Sequence, residues 1–304
     1  MVEIHGHRGA RGLLPENTLP GFERAIALGV DALELDVCMT RDGVPVVHHD
    51  TALNPDHTRD ASGVWLEPPG PLLKDLDLAE LPGLDVGRAR PGSRTSLRFP
   101  HQEPRDGARI PTLADVLVLG RRPAAGRVRF NIEIKSSPLE AHESAGPEAL
   151  ALAVAAVLRA EGMIGRATVQ SFDWRVLREL RAIAPEIAIA CLTSERGWRD
   201  TVLRGRAEPS PWTAGLSVDA EGGSVPRLVH RFGAPVWMPF HADLRAESLA
   251  EARTLGLRVI VWTVNEAADM EALARLGVDG IVTDYPDRAL EALAPWRREA
   301  PQIA

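Results

Sequence analysis

A chain of 304 residues, 45% hydrophobic and 25% charged, has ordinary globular composition and enough length for a large core without disulfide support. Its formal charge of −7 argues against non-specific nucleic-acid binding, and its two cysteines, Cys38 and Cys191, fit a reduced compartment and not a disulfide framework. No run is apolar for long enough to span a membrane, and Met1-Val2-Glu3-Ile4 enters a strand-like run without a basic or apolar leader, so the expectation is a cytoplasmic protein with no stable membrane insertion and no nucleic-acid partner.

Strand-like and helix-like runs alternate along the chain. A strand is predicted at 2–6, a helix near 18–28, and a strand at 32–38 with a short extension at 44–48. After a long interruption, a helix near 113–120 leads to a strand at 128–134. The helix 147–161 precedes a strand at 167–171, and the helix 174–183 precedes one at 187–192. Later strands are predicted near 215–218, 236–239, 259–263 and 280–283, with the clearest helices at 246–255 and 267–276. Such alternation implies parallel strands joined by crossover helices. A doubly wound open sheet and a closed barrel both fit. The expected fold is the α/β class, a (β/α)8 TIM barrel forming one domain over 1–304, because polar residues alternate with apolar ones at the strand ends as an inward-facing top layer requires. Nine candidate strands compete for eight places, and either 215–218 or 236–239 is the extra one.

Residues 51–111 break the rhythm. They hold nine Pro and six Gly, about a quarter of the segment, and no helix longer than two turns is evident. A loop this long in a compact domain is usually functional. The expectation is an insertion subdomain after the second strand, folded over the barrel mouth.

Four polar runs end or closely follow the predicted strands: His5-Gly6-His7-Arg8, Glu34-Leu35-Asp36, His48-His49-Asp50 and Glu133-Ile134-Lys135. In a strand, residues i and i+2 share a face, so Glu34 stands beside Asp36 and Glu133 beside Lys135. Three carboxylates gathered in a barrel mouth repel one another unless a cation joins them, and oxygen ligands select a hard divalent ion, Mg²⁺ or Ca²⁺. Glu34, Asp36 and Glu133 are therefore the expected metal ligands. His7 and His49 are the expected acid and base, because neutral imidazole titrates near the operating pH. His5 lies deeper on the His7 face, and His48 has the opposite parity to His49. Arg8 and Lys135 supply fixed positive charge for a phosphate, and a salt bridge from Lys135 to Glu133 or Asp36 is the alternative for that side chain. Glu16, in Pro15-Glu16-Asn17-Thr18, is placed to hold an Arg or His, and Trp262, at a strand end, to line the pocket against an alcohol moiety.

Taken together, these runs and their order resemble the glycerophosphodiester phosphodiesterases. The resemblance is carried by His7-Arg8-Gly9, Pro15-Glu16-Asn17-Thr18, Glu34-Leu35-Asp36, His49-Asp50, Glu133-Ile134-Lys135 and Gln170-Ser171-Phe172, and then by Trp262-Thr263-Val264-Asn265 and Asp279-Gly280-Ile281-Val282-Thr283-Asp284. It runs from His7 to Pro286. It implies a barrel with a small insertion after the second strand, and a divalent cation, Ca²⁺ or Mg²⁺, on Glu34, Asp36 and Glu133. It implies His7 and His49 as the catalytic pair and Arg8 and Lys135 as phosphate contacts. The implied substrate is a small glycerophosphodiester, cleaved to sn-glycerol 3-phosphate and a free alcohol.

Three other readings are weighed against this one. A lysophospholipid hydrolase of phospholipase D type would share the site and expose an apolar rim, for which the insertion offers Trp65, Leu66, Leu72 and Leu73. A barrel amidohydrolase would use His5 and His7 as a metal pair. That chemistry needs further histidines at the ends of the middle strands, where Gln170 and Leu192 stand instead. A non-catalytic binding module is disfavoured by the presence together of both histidines and all three carboxylates.

Overall fold

A computed structural model describes residues 1–297, and positions 298–304 of the expected domain lie outside the described residues. The chain starts with β1 (Glu3–Gly6) and turns into α1 (Leu19–Leu28), whose N-terminus is capped by the Thr18 hydroxyl accepting the Gly21 N–H. β2 (Ala32–Met39) follows, and β3 (Pro45–Val47) folds back on it in antiparallel register. The segment 51–111 contains the short α2 (Arg94–Arg98). Then come α3 (Leu113–Leu119), β4 (Arg129–Ile134), α4 (Pro147–Ala160), β5 (Ala167–Ser171), α5 (Trp174–Ile183) and β6 (Ala188–Thr193). A small hairpin, β7 (Glu195–Arg196) and β8 (Arg199–Asp200), leaves the end of β6. α6 (Val225–Phe232), β9 (Val236–Pro239), α7 (Ala246–Thr254), β10 (Arg258–Val261), α8 (Ala267–Leu276), β11 (Gly280–Thr283) and α9 (Pro286–Ala292) complete the order.

β1 pairs in parallel with both β2 and β11, so the strand order β1-β11-β10-β9-β6-β5-β4-β2 closes on itself. The fold is a (β/α)8 barrel, which excludes the open sheet. Of the two rivals for one strand position, Val236–Pro239 belongs to the barrel, between β6 and β10. The predicted strand at 215–218 does not form: Ala214 and Gly215 both take positive φ (55° and 85°), which turns the chain where a strand would have to run straight.

The period-2 alternation of β2 sorts its side chains. Leu33, Leu35 and Val37 point outward into the main core, where Phe22, Leu113, Val116 and Leu117 from α1 and α3 are also buried. Ile132 and Ile134 do the same on β4. A separate inner cluster, Ala190, Leu192, Val236, Met238, Ile260 and Val282, lies on the other side of the barrel interior. The interior is thus divided between polar and charged residues on β1, β2, β4 and β5 and apolar residues on β6, β9, β10 and β11. Each buried Leu or Ile in such a core contributes on the order of 1.5–3 kcal/mol, so the barrel does not depend on its polar top layer for stability.

The segment 51–111 builds a third cluster, in which Leu53, Leu73, Leu81, Val86 and Ile110 pack on Cys38 and Val46 from the β2–β3 hairpin. Leu66 packs against it, and Trp65 lies beneath the Arg59 guanidinium. Of the residues considered for an exposed rim, Leu66 and Leu73 thus belong to the segment's own core, and Trp65 and Leu72 are half-buried.

Candidate active site

The carboxyl end of β1 leads into a loop in which Arg8 and Asn17 both take left-handed backbone (φ 51° and 54°). Such strained non-glycine residues collect at functional sites. Gly9 (φ 88°) lets this loop pass under α1, since a Cβ there would meet the Gly21 backbone at 2.8 Å. The neighbouring β2 and β4 run in a register that sets Asp36 opposite Glu133. Glu34, Asp36 and Glu133 are 2%, 1% and 8% exposed, and each offers an oxygen within 4.8 Å of the others.

This crowding has an electrostatic signature. Burial raises the Glu34 carboxyl well above its ordinary pKa, and repulsion from Asp36 and Glu133 adds to the effect. Burial would also raise Asp36, yet Lys135 and Arg8 hold it far below the usual carboxylate range. The Lys135 Nζ stands 2.7 Å from Glu133 Oε1 and 3.3 Å from Asp36 Oδ1, so the ion-pair alternative for Lys135 is realised. Hydrogen bonds orient the rest. Gln170 Nε2 donates to Glu34 Oε1 (3.0 Å), the Arg8 N–H donates to Glu34 Oε2 (3.0 Å), and Asn17 Nδ2 donates to Asp36 Oδ2 (2.8 Å). An all-oxygen donor set with an unrelieved like-charge carboxyl fits a hard divalent cation. It is the one group of three metal-ligating side chains found this close among the described residues.

His7 and His49 line the same cavity, and each is held at Nδ1 by a carboxylate. His7 Nδ1 is 2.6 Å from Asp284 Oδ1, and His49 Nδ1 is 2.6 Å from Asp50 Oδ1. Each aspartate is held in turn by an asparagine: Asn265 donates to Asp284 Oδ2 and Asn54 to Asp50 Oδ2, both at 2.7 Å. A proton on Nδ1 satisfies both networks, which leaves Nε2 of each ring for exchange with a ligand. Burial lowers both imidazoles below their ordinary pKa, helped by Arg8. Lys135 also acts on His49, which falls to about 3, so that ring is neutral at pH 7.

Arg8 and Arg11 are clamped by Glu16, Arg8 Nη1 at 2.8 Å and Arg11 Nε at 2.5 Å, and these two cations overcome burial to hold Glu16 well below its ordinary pKa. Trp262 lines the cavity and donates from Nε1 to the Met238 carbonyl (2.8 Å). His5 and His48 stand apart from this group. His5 lies deep in the barrel, with Nε2 3.3 Å from Glu3 Oε2, and His48 turns toward His57, ring centroids 5.7 Å apart. The His5–His7 metal pair needed by an amidohydrolase does not form, because the two rings are held by different carboxylates.

The cavity encloses about 760 Å³. One wall is charged, as described. The opposite wall is apolar, with Phe172, Leu192, Met238, Phe240, Trp262 and the hairpin residue Trp198. Asn54, Asp56, His57, Arg94, Thr95 and Arg98 of the 51–111 segment also line it. In the diesterase reading, sequence reasoning placed Asp50, Gln170 and Asp284 in the motifs without a role, considered Asp284 only as a ligand of the rival amidohydrolase, and did not single out Arg11 or the β7–β8 hairpin. Asp284 had a usable signal: it directly follows β11, the strand that pairs with β1.

Residues 7–288 match the model of the Glycerophosphoryl diester phosphodiesterase family. The chain belongs to this family. A glycerophosphodiester phosphodiesterase from Caldanaerobacter subterraneus subsp. tengcongensis is 31% identical over 286 residues, 93% of this chain and 94% of the relative. Among solved structures, a candidate glycerophosphoryl diester phosphodiesterase from Silicibacter pomeroyi is 38% identical with a TM-score of 0.84, over 97% of this chain and 94% of that one. An Oleispira antarctica phosphodiesterase, solved with the product sn-glycerol-3-phosphate, shares the fold at a TM-score of 0.68 and 21% identity, over 96% of each chain. The barrel is thus the fold of a phosphodiesterase family. No helix among the described residues is long and apolar enough to cross a membrane.

Proposed function

We propose that this protein hydrolyses glycerophosphodiesters to sn-glycerol 3-phosphate and an alcohol, with one Mg²⁺ or Ca²⁺ held by Glu34, Asp36 and Glu133. The observation that carries the reading is the convergence, in one cavity, of three crowded carboxylates, two cationic side chains and two carboxylate-held histidines. Family membership supports the same chemistry. The bound cation supplies a Lewis acid for a phosphate oxygen and relieves the repulsion on Glu34.

The chain's own residues do the rest. Arg8 and Lys135 line the cavity and attract the phosphate, and their charges stabilise the negative charge that grows on its oxygens. Asp284 and Asp50 fix the ring orientation of His7 and His49, so that each Nε2 meets the reacting group without a search. One histidine takes the proton of the attacking hydroxyl or water. The other, in its imidazolium form with Nδ1–H held by its aspartate, gives the Nε2 proton to the departing alcohol oxygen as the P–O bond breaks. Glu16 keeps Arg8 in place and stays ionised in doing so. The 51–111 segment, which supplies His57, Arg94 and Arg98 to the cavity, caps the mouth over this chemistry.

The test is a panel assay with glycerophosphocholine, glycerophosphoethanolamine, glycerophosphoinositol and lysophosphatidylcholine, each with Mg²⁺ or Ca²⁺. Release of sn-glycerol 3-phosphate that stops on chelation supports the reading. Turnover of lysophosphatidylcholine alone would move the activity to the lysophospholipid reading, which the apolar wall also accommodates.

A further inference from the structure

The apolar wall is assembled from four places: Phe172 after β5, Trp198 and Arg199 on the β7–β8 hairpin, Phe240 after β9 and Trp262 after β10. Its rings meet edge to face. The Trp262 ring lies 5.3 Å from Phe172, 5.3 Å from Phe240 and 6.3 Å from Trp198. The Trp262 indole N–H is already donated to a backbone carbonyl, so this ring offers the cavity its surface and no free donor. Trp198 is 63% exposed, with its ring edge-on to Phe240 and Trp262. A large ring left in water at the lip of a cavity is an unfilled contact.

A box of aromatic faces ordinarily suits an ammonium cation. Here the protein has put its own cation in that place. The Arg199 guanidinium sits 5.1 Å from the Phe172 ring centre and 5.9 Å from that of Trp212. Its neighbours in this region are neutralised, Arg196 by Asp243 at 2.7 Å and Arg204 by Glu195. Arg199 itself forms no ion pair among the described residues, and neither does Arg94 across the mouth. Arg98, also across the mouth, comes within 3.8 Å of Asp284. Of the five acidic groups on the cavity lining, Glu16 is paired with Arg8 and Arg11, Asp50 with His49 and Glu133 with Lys135, and Glu34 belongs to the carboxylate group of the charged wall, which leaves Asp56.

Resting on the diesterase reading, we infer that this wall receives the alcohol half of the diester and that Arg199 makes it select uncharged or anionic alcohols over those carrying an ammonium group. A polyol or an anionic group gains a hydrogen bond from the guanidinium. A quaternary ammonium meets a like charge where it would otherwise find ring faces. Two cations roughly 6 Å apart at a half-solvated rim repel enough for roughly a tenfold change in kcat/KM, and salt screens the effect.

The experiment compares glycerophosphocholine with its uncharged carbon isostere, the 3,3-dimethylbutyl diester of glycerol phosphate, on the cation-loaded enzyme at low and high salt. The wild type is expected to favour the isostere by roughly tenfold or more at low salt, and by less at high salt. Arg199→Gln is expected to shrink that ratio severalfold, mainly by raising kcat/KM for glycerophosphocholine, and Arg199→Lys to retain it. Equal turnover of the two diesters by the wild type, or an unchanged ratio in Arg199→Gln, overturns the inference while leaving the diesterase reading in place. Turnover of neither diester overturns both.

Discussion

Asp284→Asn removes one charge from a buried network and leaves its volume almost unchanged. The Asp284 carboxylate accepts from His7 Nδ1 at 2.6 Å through one oxygen and from Asn265 Nδ2 at 2.7 Å through the other. Asn265 cannot turn over to accommodate a new amide, because its own Oδ1 accepts the Asp284 backbone N–H (3.0 Å) and the Thr283 hydroxyl (3.2 Å). An amide at 284 therefore either sets two NH₂ groups against each other or presents its NH₂ to His7 Nδ1. The second arrangement makes His7 Nδ1 an acceptor, moves the ring proton to Nε2 and replaces a charge-assisted hydrogen bond with a neutral one. A hydrogen bond to a charged group contributes about 1.5–3 kcal/mol, which corresponds to roughly 10- to 150-fold in rate if it is lost in the transition state. Asp284 also raises the His7 pKa against burial, so the variant should hold that ring neutral to a still lower pH. The assay is kcat at saturating diester and cation, with circular dichroism to confirm folding and calorimetry to confirm unchanged cation affinity. A kcat within about twofold of wild type would refute the positioning argument.

Three further outcomes are expected. His7→Ala and His49→Ala should each lower kcat by at least roughly a hundredfold, measured at saturating substrate, and near-normal turnover would remove that residue from the mechanism. Glu16→Gln should cost about 3 kcal/mol in urea unfolding at pH 7, because it leaves Arg11 without its buried partner and Arg8 with Asp36 alone. Since the folded pKa of Glu16 lies below its unfolded value, this contribution is present above about pH 4.5 and is lost as pH falls toward the folded value; a gap between wild type and variant that widens on acidification would contradict the assignment.

Much of this was legible because strands sort residues by parity. Glu34 and Asp36 could be paired from sequence, since Leu33, Leu35 and Val37 between and beside them demanded a covered outer face. Glu133 joined them for the same reason on β4. Parity also separated His48 from His49, which the structure turns to different sides. The pairing of Asp284 with His7 was not legible, because the two lie 277 positions apart and only closure of the barrel brings them together. The β7–β8 hairpin escaped because strands of two residues carry no period. The predicted strand at 215–218 failed because apolar spacing does not report the positive φ angles that break it. Lys135 was readable as a cation at the site, but sequence could not distinguish a phosphate contact from its ion pairs with Glu133 and Asp36.

The claim on which the rest depends is that these three acidic side chains make one cation site, and calorimetric titration of the chelator-treated protein with Mg²⁺ and with Ca²⁺ tests it most directly. The account predicts saturable uptake of one ion per chain, weakened at least roughly tenfold in each of Glu34→Gln, Asp36→Asn and Glu133→Gln. Absence of binding by the folded wild type, or equal affinity in all three variants, would contradict it.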